Sequence, residues 1–248
     1  MYLLGDIGNT EIKICLFNEN KKLQKKIKFE TNLITNKFLI KKFSSMKLKK
    51  YNIKKVIFCS VVPIVYLKIK SILIKKFNLK SNELKNLSLS KLINIKVNKK
   101  QIGSDRLSNA LSVIDNKNNY IIIDFGTATT FDVVIKNNYL GGVISPGINL
   151  SLKTLVSKAT MIPKVELKSI NKVLGKNTLE AVRSGFYWGY SGLISNIIKK
   201  IFKQTQKKYK IILTGGLSYL FKKSLPYKVT INRNLTINGL LKVVHLIN

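Results

Sequence analysis

Four of the five aspartates in this 248-residue chain lie in short motifs that contain glycine. Acidic residues are scarce, since 11 Asp and Glu stand against 45 Lys and Arg. The chain also has a single histidine, His245, which leaves little material for a histidine-based triad or zinc site. Acid–base or cation chemistry must therefore use carboxylates, and the candidates are Asp6, Asp105, Asp124 and Asp132.

The stretch DIGNTEIK places Asp6 between an apolar run and a glycine turn. The apolar residues before it and the run ICLF after it predict a β-hairpin, because β-forming segments flank the turn Gly8-Asn9-Thr10. Such a turn exposes backbone N–H groups, which bind phosphate oxygens. The simpler interpretation is an ordinary hairpin in which Asp6 only helps to form the turn.

The same pattern returns in the second half of the chain. The segment YIIIDFGTATTFDVVI combines an apolar strand, Asp124, a turn with Gly126 and Thr127, and a second strand. This repeat predicts a duplicated chain with one phosphate-facing hairpin in each half. Two such hairpins facing one cleft would form a nucleotide site, in which the turns contact phosphates and the carboxylates hold cations or their waters.

A third glycine segment, Thr214-Gly215-Gly216, ends the apolar run KIIL. The missing side chains would let a flat or bulky ligand lie against the backbone, which supports a nucleotide site. A plain tight turn explains the glycine pair equally well.

The segment GSDR, residues 103–106, opens a predicted helix. Gly103 supplies the turn and Ser104 is the expected N-cap, which places Asp105 and Arg106 in the first helical turn. An acid at that position could simply complement the helix dipole. In the functional interpretation, Asp105 projects into the cleft as a base beside Arg106, an anion clamp, as phosphoryl transfer to an alcohol requires.

The elements that must hold these segments alternate between strands and helices. After the first hairpin we expect a lysine-rich helix around KFLIKKFSSMKL, a buried strand KKVIFCSVV ended by Pro63, a helix YLKIKSILIKKF and a strand near INIKV. From Tyr120 the pattern restarts. The chain is predicted to be an α/β protein with lobes at residues 1–112 and 113–248, joined near Ser108–Asn119 by a helix and the tight turn DNKNN.

The net charge of +34 invites a nucleic-acid hypothesis. The positive residues are nearly all lysines spread along the chain, with arginine only at positions 106, 183 and 233, whereas readers of bases and phosphates favour arginine. Lys, Asn and Ile have A/T-rich codons, so we attribute the charge chiefly to genomic composition. We expect nonspecific attraction to polyanions and no specific nucleic-acid partner.

Other features predict the compartment. The chain starts with a strand rather than a basic and apolar leader, and its longest uncharged apolar stretch, Ser184–Ile198, is shorter than the roughly 20 residues that span a bilayer. Cys15 and Cys59 lie in apolar, strand-like runs and are expected to be buried free thiols. We therefore expect a cytoplasmic protein in a reducing compartment, without a membrane partner.

Seven segments, in the order DIGNT, GSDR, DFGTATTFD, GGVISPGI, GKNTLEAVRSGFYWG, TGG and NLTINGL, resemble those of type III pantothenate kinases over essentially the whole chain. That family belongs to the actin and sugar-kinase superfamily, so the resemblance implies a duplicated, ribonuclease H-like α/β fold with two lobes and a central cleft. It implies ATP-dependent phosphorylation of pantothenate to 4'-phosphopantothenate, the first step of coenzyme A synthesis. The implied cofactors are ATP with Mg²⁺ and a monovalent cation, K⁺ or NH₄⁺.

The resemblance also assigns roles to positions of this chain. Asp105 matches the proton acceptor, Asp124 the ligand of the monovalent cation, and Thr178 a pantothenate contact. Asn177 or Thr178 could equally cap the following helix, and we expect a dual role for Thr178. The implied nucleotide contacts are Asp6, Ile7, Gly8, Asn9, Thr10, Glu11, Ile12, Lys13 and Thr127, and the implied pantothenate contacts are Gly103, Ser104, Asp105, Arg106 and Thr178.

The helix after GKNT carries Gly185, Gly189 and Gly192 among four aromatic residues. Glycine weakens a helix, so a close approach of another element is expected in compensation. The resemblance implies a homodimer in which this region, from Glu180 to Lys199, joins the interface and the partner helps to enclose pantothenate. The alternative is a helix that packs only inside its own lobe.

One stretch departs from the family pattern. Before GSDR the family has a tyrosine and an Asn-Pro pair, whereas this chain reads IKVNKKQI, with Asn98 followed by Lys99 and no tyrosine. A substrate contact is therefore lost or replaced. Two other functions stay open at this point: a catalytically idle regulatory relative, similar to the Bvg accessory factor group, and a kinase for another small hydroxylated acid.

Overall fold

The computed structural model describes residues 1–246, which group into two compact units. The first unit contains Met1–Ile114 together with the chain from Asn234 onward, and the second contains Asp115–Arg233. Each unit is built from one mixed β-sheet with helices packed against it. The lobe boundary predicted at residues 112 and 113 stays a prediction.

The strands of the first unit follow the order β3-β2-β1-β4-β5. The pairs β1–β2 and β2–β3 are antiparallel, while β4 lies parallel to β1 and β5 parallel to β4. The central strands are buried on both faces, whereas the edge strand β3 alternates lysine with apolar residues, which protects an exposed edge. The strand bounds are Tyr2–Ile7 (β1), Glu11–Phe17 (β2), Leu23–Glu30 (β3), Lys55–Ser60 (β4) and Asn82–Glu83 (β5).

Two of the predicted helices connect these strands. Helix α1 (Asn36–Ser45) starts where the Thr35 side chain accepts a hydrogen bond from the Phe38 N–H at 3.1 Å. Helix α2 (Pro63–Phe77) has proline at its first position, where the missing N–H costs nothing, so Pro63 both ends the strand segment and opens the helix. The strand predicted near INIKV is reduced to two residues, Asn94–Ile95 (β6).

The C-terminal helix packs onto the helix that follows Gly103. Helix α3 (Ser104–Val113) and helix α7 (Leu235–Val243) approach so closely that a Cβ on Gly239 would lie 1.8 Å from the backbone oxygen of Ser108. The Ser108 hydroxyl donates to the Thr236 carbonyl at 2.7 Å, and the Thr236 hydroxyl donates to the Asn109 side chain at 2.9 Å. These buried contacts fix the position of α3 in the first unit.

The second unit repeats the strand order of the first. Its strands run β9-β8-β7-β10-β11, with β7–β8 and β8–β9 antiparallel and with β10 and β11 parallel to β7. The bounds are Asn119–Phe125 (β7), Ala128–Ile135 (β8), Asn138–Pro146 (β9), Lys210–Gly215 (β10) and Val229–Ile231 (β11), with helices Ile148–Lys158 (α4), Thr178–Thr205 (α5) and Ser218–Phe221 (α6). Two units with one topology confirm the predicted α/β duplication.

The turn that joins the units is also as predicted. Asp115 accepts hydrogen bonds from the backbone N–H groups of Lys117 and Asn118, at 3.0 and 2.8 Å, and from the Tyr120 hydroxyl at 2.7 Å. This carboxylate holds the DNKNN segment in a tight turn between α3 and β7.

The structure also tests the predictions for the two cysteines and for membrane-spanning helices. Cys15 and Cys59 are buried free thiols, as predicted. Across residues 1–246, every helix is too short or too polar to cross a bilayer.

Candidate active site

The first hairpin forms the turn that the sequence predicts. The Gly8 N–H donates to the Glu11 carbonyl at 3.0 Å and closes the turn between β1 and β2, while Asn9 and Thr10 are exposed at its tip. Thr31, at the end of β3, braces the turn from the side: its hydroxyl donates to the Gly8 carbonyl at 2.7 Å and its N–H to the Thr10 carbonyl at 2.9 Å. The turn is therefore held in one conformation before any ligand binds.

Thr31 was missed by the sequence reasoning. It lies 21 residues beyond Thr10 in a segment without glycine, so no local turn pattern marks it. Only the antiparallel pairing of β2 with β3, which sets Glu11 opposite Glu30, brings it to the turn.

Asp6 lies on the central strand of the first sheet. It pairs with Lys13 on β2 and with Cys59 on β4, whose thiol donates to Asp6 Oδ1 at 3.5 Å. Burial raises the pKa of Asp6 to about 6; the charge of Lys13 pulls this pKa down, and the charges of Asp105 and Glu11 push it up. A cation or a ligand that favours the ionised carboxylate would relieve this desolvation.

Asp105 lies in the first turn of α3, and its carboxylate folds back over the turn before it. Oδ1 accepts a hydrogen bond from the Arg106 N–H at 2.7 Å. A Cβ on Gly103 would lie 2.4 Å from the same oxygen, so glycine leaves the space that the carboxylate occupies. Burial raises the pKa of Asp105, and the N–H and charge of Arg106 oppose that rise.

The structure thus brings together two acids that are far apart in the sequence. Both acids belong to the first unit, and the charge of Asp105 contributes to the raised pKa of Asp6. Two desolvated carboxylates in one unit can accept a proton and hold a cation.

Ser104 is not the N-cap that the sequence predicts. Gly103 occupies the cap position without a side-chain bond, and Ser104 is the first helical residue. The Ser104 hydroxyl donates instead to Glu83 Oε1 at 2.5 Å. A hydrogen bond from a buried hydroxyl to a carboxylate is stronger than one between neutral groups. The Ser104 hydroxyl therefore binds Glu83 instead of capping the helix, which explains the error.

The second hairpin contains Asp124 and Thr127, and the Asp124 carboxylate lies beside Gly215. Asp124 pairs with Thr130 on β8 and with Thr214 on β10, and a Cβ on Gly215 would lie 2.7 Å from Asp124 Oδ1. Gly215 has a φ of +85°, a conformation that suits glycine, so both its backbone and its lack of a side chain are needed beside this carboxylate. Asp124 is therefore set into a cradle rather than left at a strand end.

Two further glycines, Gly147 and Gly216, differ in how closely their surroundings pack. A Cβ on Gly147 would lie 2.1 Å from the Thr127 carbonyl, so this glycine lets the start of α4 pack against the hairpin turn; the sequence reasoning did not single it out. Gly216, by contrast, has nothing within 4 Å of its Cβ position. Of the predicted TGG segment, Gly215 is thus needed for packing, and Gly216 leaves open space.

The start of α5 shows which residue of the GKNT segment caps the helix. Asn177 is the N-cap, and its side chain accepts from the Glu180 N–H at 2.9 Å, while Glu180 accepts from the Lys176 N–H at 2.9 Å. Thr178 is the first helical residue and is exposed. The cap is therefore Asn177, and the expected dual role of Thr178 is wrong in its capping part.

The glycine face of α5 has no neighbour within the described chain. Gly185, Gly189 and Gly192 are exposed, and nothing lies within 4 Å of their Cβ positions. The aromatic residues of the helix lean the other way: Tyr187 is buried in the core of the second unit, and Phe186, Trp188 and Tyr190 pack against that core. The close approach expected at the glycines is not made inside residues 1–246.

The donor set also limits the metals that these units can hold. Within the described residues, no three His, Cys, Asp or Glu side chains gather into a group.

The sheet order repeated in both units defines the class of protein, a duplicated α/β fold that sugar kinases of known structure share. A ROK family glucokinase from Streptomyces griseus, solved in complex with glucose and AMPPNP, shares this fold with a TM-score of 0.54 and 12% identity, over 98% of both chains. This likeness covers the fold alone.

The family is settled by sequence. The model of the type III pantothenate kinase family matches residues 2–200. A type III pantothenate kinase from Pelagibacter ubique is 54% identical over 247 residues, covering both chains completely, and one from a Sulfurihydrogenibium species is 36% identical over 97% of this chain and 98% of its own length. The chain belongs to the type III pantothenate kinase family, which confirms the predicted enzyme, a kinase of coenzyme A synthesis.

Proposed function

We propose that the chain transfers the γ-phosphoryl group of ATP to the 4'-hydroxyl of pantothenate, with Asp105 as the general base. The observation that carries this proposal is the placement of the Asp105 carboxylate in the first turn of α3, in the space that Gly103 leaves beside Oδ1. Burial raises the pKa of this carboxyl. A raised pKa makes a carboxylate a better proton acceptor, and phosphoryl transfer needs such a base at the nucleophile.

The phosphates of ATP bind at the first hairpin, residues 6–13. Its turn is braced by Thr31, so its backbone N–H groups are preorganised for anion binding. Lys13, opposite Asp6 across β1 and β2, adds a positive charge. Mg²⁺ fits at Asp6, whose buried carboxylate gains by pairing with a cation; when bound, the ion neutralises charge on the β- and γ-phosphates. Thr127 contributes a nucleotide contact from the second hairpin.

Pantothenate contacts the segment Gly103–Arg106. Arg106 and the first N–H groups of α3 favour an anionic substrate, because a helix N-terminus carries partial positive charge. The buried Ser104 hydroxyl donates a hydrogen bond to Glu83, so Ser104 contributes to this contact through its backbone N–H at the start of the helix. Thr178, exposed at the start of α5 and free of the capping role, is a further substrate contact.

A monovalent cation, K⁺ or NH₄⁺, binds at Asp124. The support is the cradle at its carboxylate, where Gly215 with φ +85° leaves room beside Oδ1 that any side chain would fill. When bound, this cation would neutralise the Asp124 carboxylate.

The enzyme works as a homodimer joined at the glycine face of α5. Three exposed glycines in one helix lower its stability, and no neighbour within residues 1–246 compensates for them. The loop before α5 adds exposed apolar side chains, since Met161 is 88% and Leu174 87% exposed. A second copy would cover both features. Buried free thiols at Cys15 and Cys59 suit the cytoplasm, where we place the enzyme.

The test is Asp105→Asn, which keeps the size of the side chain and removes its basicity. We expect kcat to fall by at least ~100-fold, while ATP binding measured by calorimetry stays within about twofold, because a general base typically supplies that factor. Asp115→Asn is the matched control: it makes the same change at an acid of the interdomain turn and should keep kcat. Near-normal turnover of Asp105→Asn would reject the assignment.

A further inference from the structure

A short helical turn in the first unit is hydrogen-bonded to the loop that leads into Gly103. This 3₁₀ turn, Leu84–Asn86, follows β5 directly. The ammonium group of Lys85 donates to two carbonyls of that loop, those of Lys100 and Ile102, both at 2.9 Å. One side chain thereby fixes the peptide group between Lys100 and Gln101 and the one between Ile102 and Gly103.

Glu83 holds the other side of Gly103. Its Oε1 accepts from the Ser104 hydroxyl at 2.5 Å, and its Oε2 accepts from the Lys85 N–H at 2.6 Å. Ser104 is 1% exposed, so its hydroxyl has no solvent to replace this bond. Glu83 and Lys85 together bracket Gly103, one contacting the residue before it and one the residue after it.

The segment Glu83–Lys85, which carries these two side chains, is itself firmly placed. Glu83 pairs with Phe58 in the parallel ladder of β4 and β5, and the Leu84 side chain is fully buried. The contacts of Glu83 and Lys85 thus fix the loop relative to the sheet. A support built on a strand is more rigid than one built on another loop.

The loop before Gly103 faces solvent. Residues 96–101 are all exposed, and they contain no proline to restrict the backbone. Their local order comes from Asn98, whose side chain accepts from the Lys100 N–H at 3.0 Å and whose carbonyl accepts from the Gln101 N–H at 3.1 Å. Those bonds close the turn on itself, and the contacts from Lys85 tie its last residues to the segment after β5.

We propose that Glu83 and Lys85 are positioning residues for the segment Gly103–Arg106, holding it where Asp105 can meet the substrate hydroxyl. The inference rests on the proposed role of that segment in binding pantothenate. Neither side chain contacts the substrate in this account, and both act through the backbone and the Ser104 hydroxyl. Loss of either contact leaves the base present but loosely placed, which is costly because reacting groups tolerate little displacement.

The principal variant is Lys85→Met, with Lys85→Arg as the conservative rescue and Lys80→Met as the matched control. Lys80 is an exposed lysine just before β5, so its loss removes the same charge without touching the loop. For Lys85→Met we expect kcat/KM for pantothenate to fall roughly 10- to 100-fold, with the KM for ATP unchanged. Lys85→Arg, which can still reach two carbonyls, should recover most of the loss.

Hydrogen–deuterium exchange gives a readout independent of activity. Amides of residues 99–106 should exchange faster in Lys85→Met than in the wild type and in Lys80→Met. Glu83→Gln, which weakens the bond from Ser104, should show the same pattern to a smaller degree and replaces Lys85→Met if that variant fails to fold.

Two results would overturn the proposal: unchanged exchange in residues 99–106, or faster exchange with kcat/KM within about twofold of the wild type. A failure of the proposed function looks different. In that case the wild type itself does not phosphorylate pantothenate, or Asp105→Asn is as active as the wild type, whatever the Lys85 variants do.

Discussion

Asp6 is predicted to lower the stability of the free enzyme at neutral pH. Its pKa is about 6 in the folded chain against 3.8 for an ordinary aspartate, because burial opposes ionisation. Below pH 3.8 the group is protonated in both folded and unfolded chains and has no effect on stability. As pH rises from 3.8 to 6, the unfolded chain ionises first, so stability falls; above pH 6 the whole cost is present.

The size of the cost follows from the shift. A change of about two pKa units at 1.36 kcal/mol each gives at most about 3 kcal/mol. Asp6→Asn removes the ionisation and keeps the shape. We therefore expect this variant to melt several degrees above the wild type at pH 7.5, since about 1 kcal/mol shifts Tm by roughly 2–4 °C in a chain of this size. At pH 4 the two proteins should melt together.

Thermal unfolding of both proteins without nucleotide, across pH 4 to 8, makes the measurement. Asp115→Asn is a control of opposite sign. Burial raises the pKa of Asp115, but hydrogen bonds from Asn118, Tyr120 and Lys117 outweigh it and hold this pKa well below its usual range. That carboxylate therefore stabilises the fold at neutral pH, and its loss should lower Tm at pH 7.5. An Asp6→Asn protein that melts at or below the wild type at pH 7.5 would refute the reasoning.

Three further predictions follow from the site. Gly103→Ala should lower kcat at least ~10-fold in steady-state assays while sparing ATP binding, because its Cβ would lie 2.4 Å from the Asp105 oxygen and displace the base; unchanged kcat would contradict this. Potassium or ammonium should raise activity, and Asp124→Ala should abolish the response, so a wild type equally active in buffer without either ion would count against the cation site. Gly189→Leu should weaken both dimerisation and pantothenate turnover, and sedimentation that finds an active monomer at assay concentration would sink the dimer proposal.

Local patterns in the sequence predicted the parts of the fold that depend on neighbours along the chain. The hairpin at Asp6, its repeat at Asp124 and the turn at Asp115 each combine strand-forming runs with turn residues within a few positions. The repetition of one hairpin also predicted the duplication, because identical segments fold alike.

The remainder depended on contacts between distant segments. Ser104 has the composition of an N-cap, but Glu83, 21 residues earlier, takes its hydroxyl. The brace from Thr31 and the packing of α7 against α3 are equally invisible in a local window. In each case the partner is selected by strand order and helix packing, which the hydrophobic pattern does not specify.

One assay tests both the proposed substrate, pantothenate, and the proposed base, Asp105. The most direct measurement incubates purified wild type and Asp105→Asn with Mg-ATP, potassium and pantothenate, and quantifies 4'-phosphopantothenate by mass spectrometry. We predict stoichiometric product and ADP from the wild type and at least ~100-fold less product per unit time from the variant. ATP hydrolysis without phosphopantothenate, or equal product from both proteins, would contradict the account.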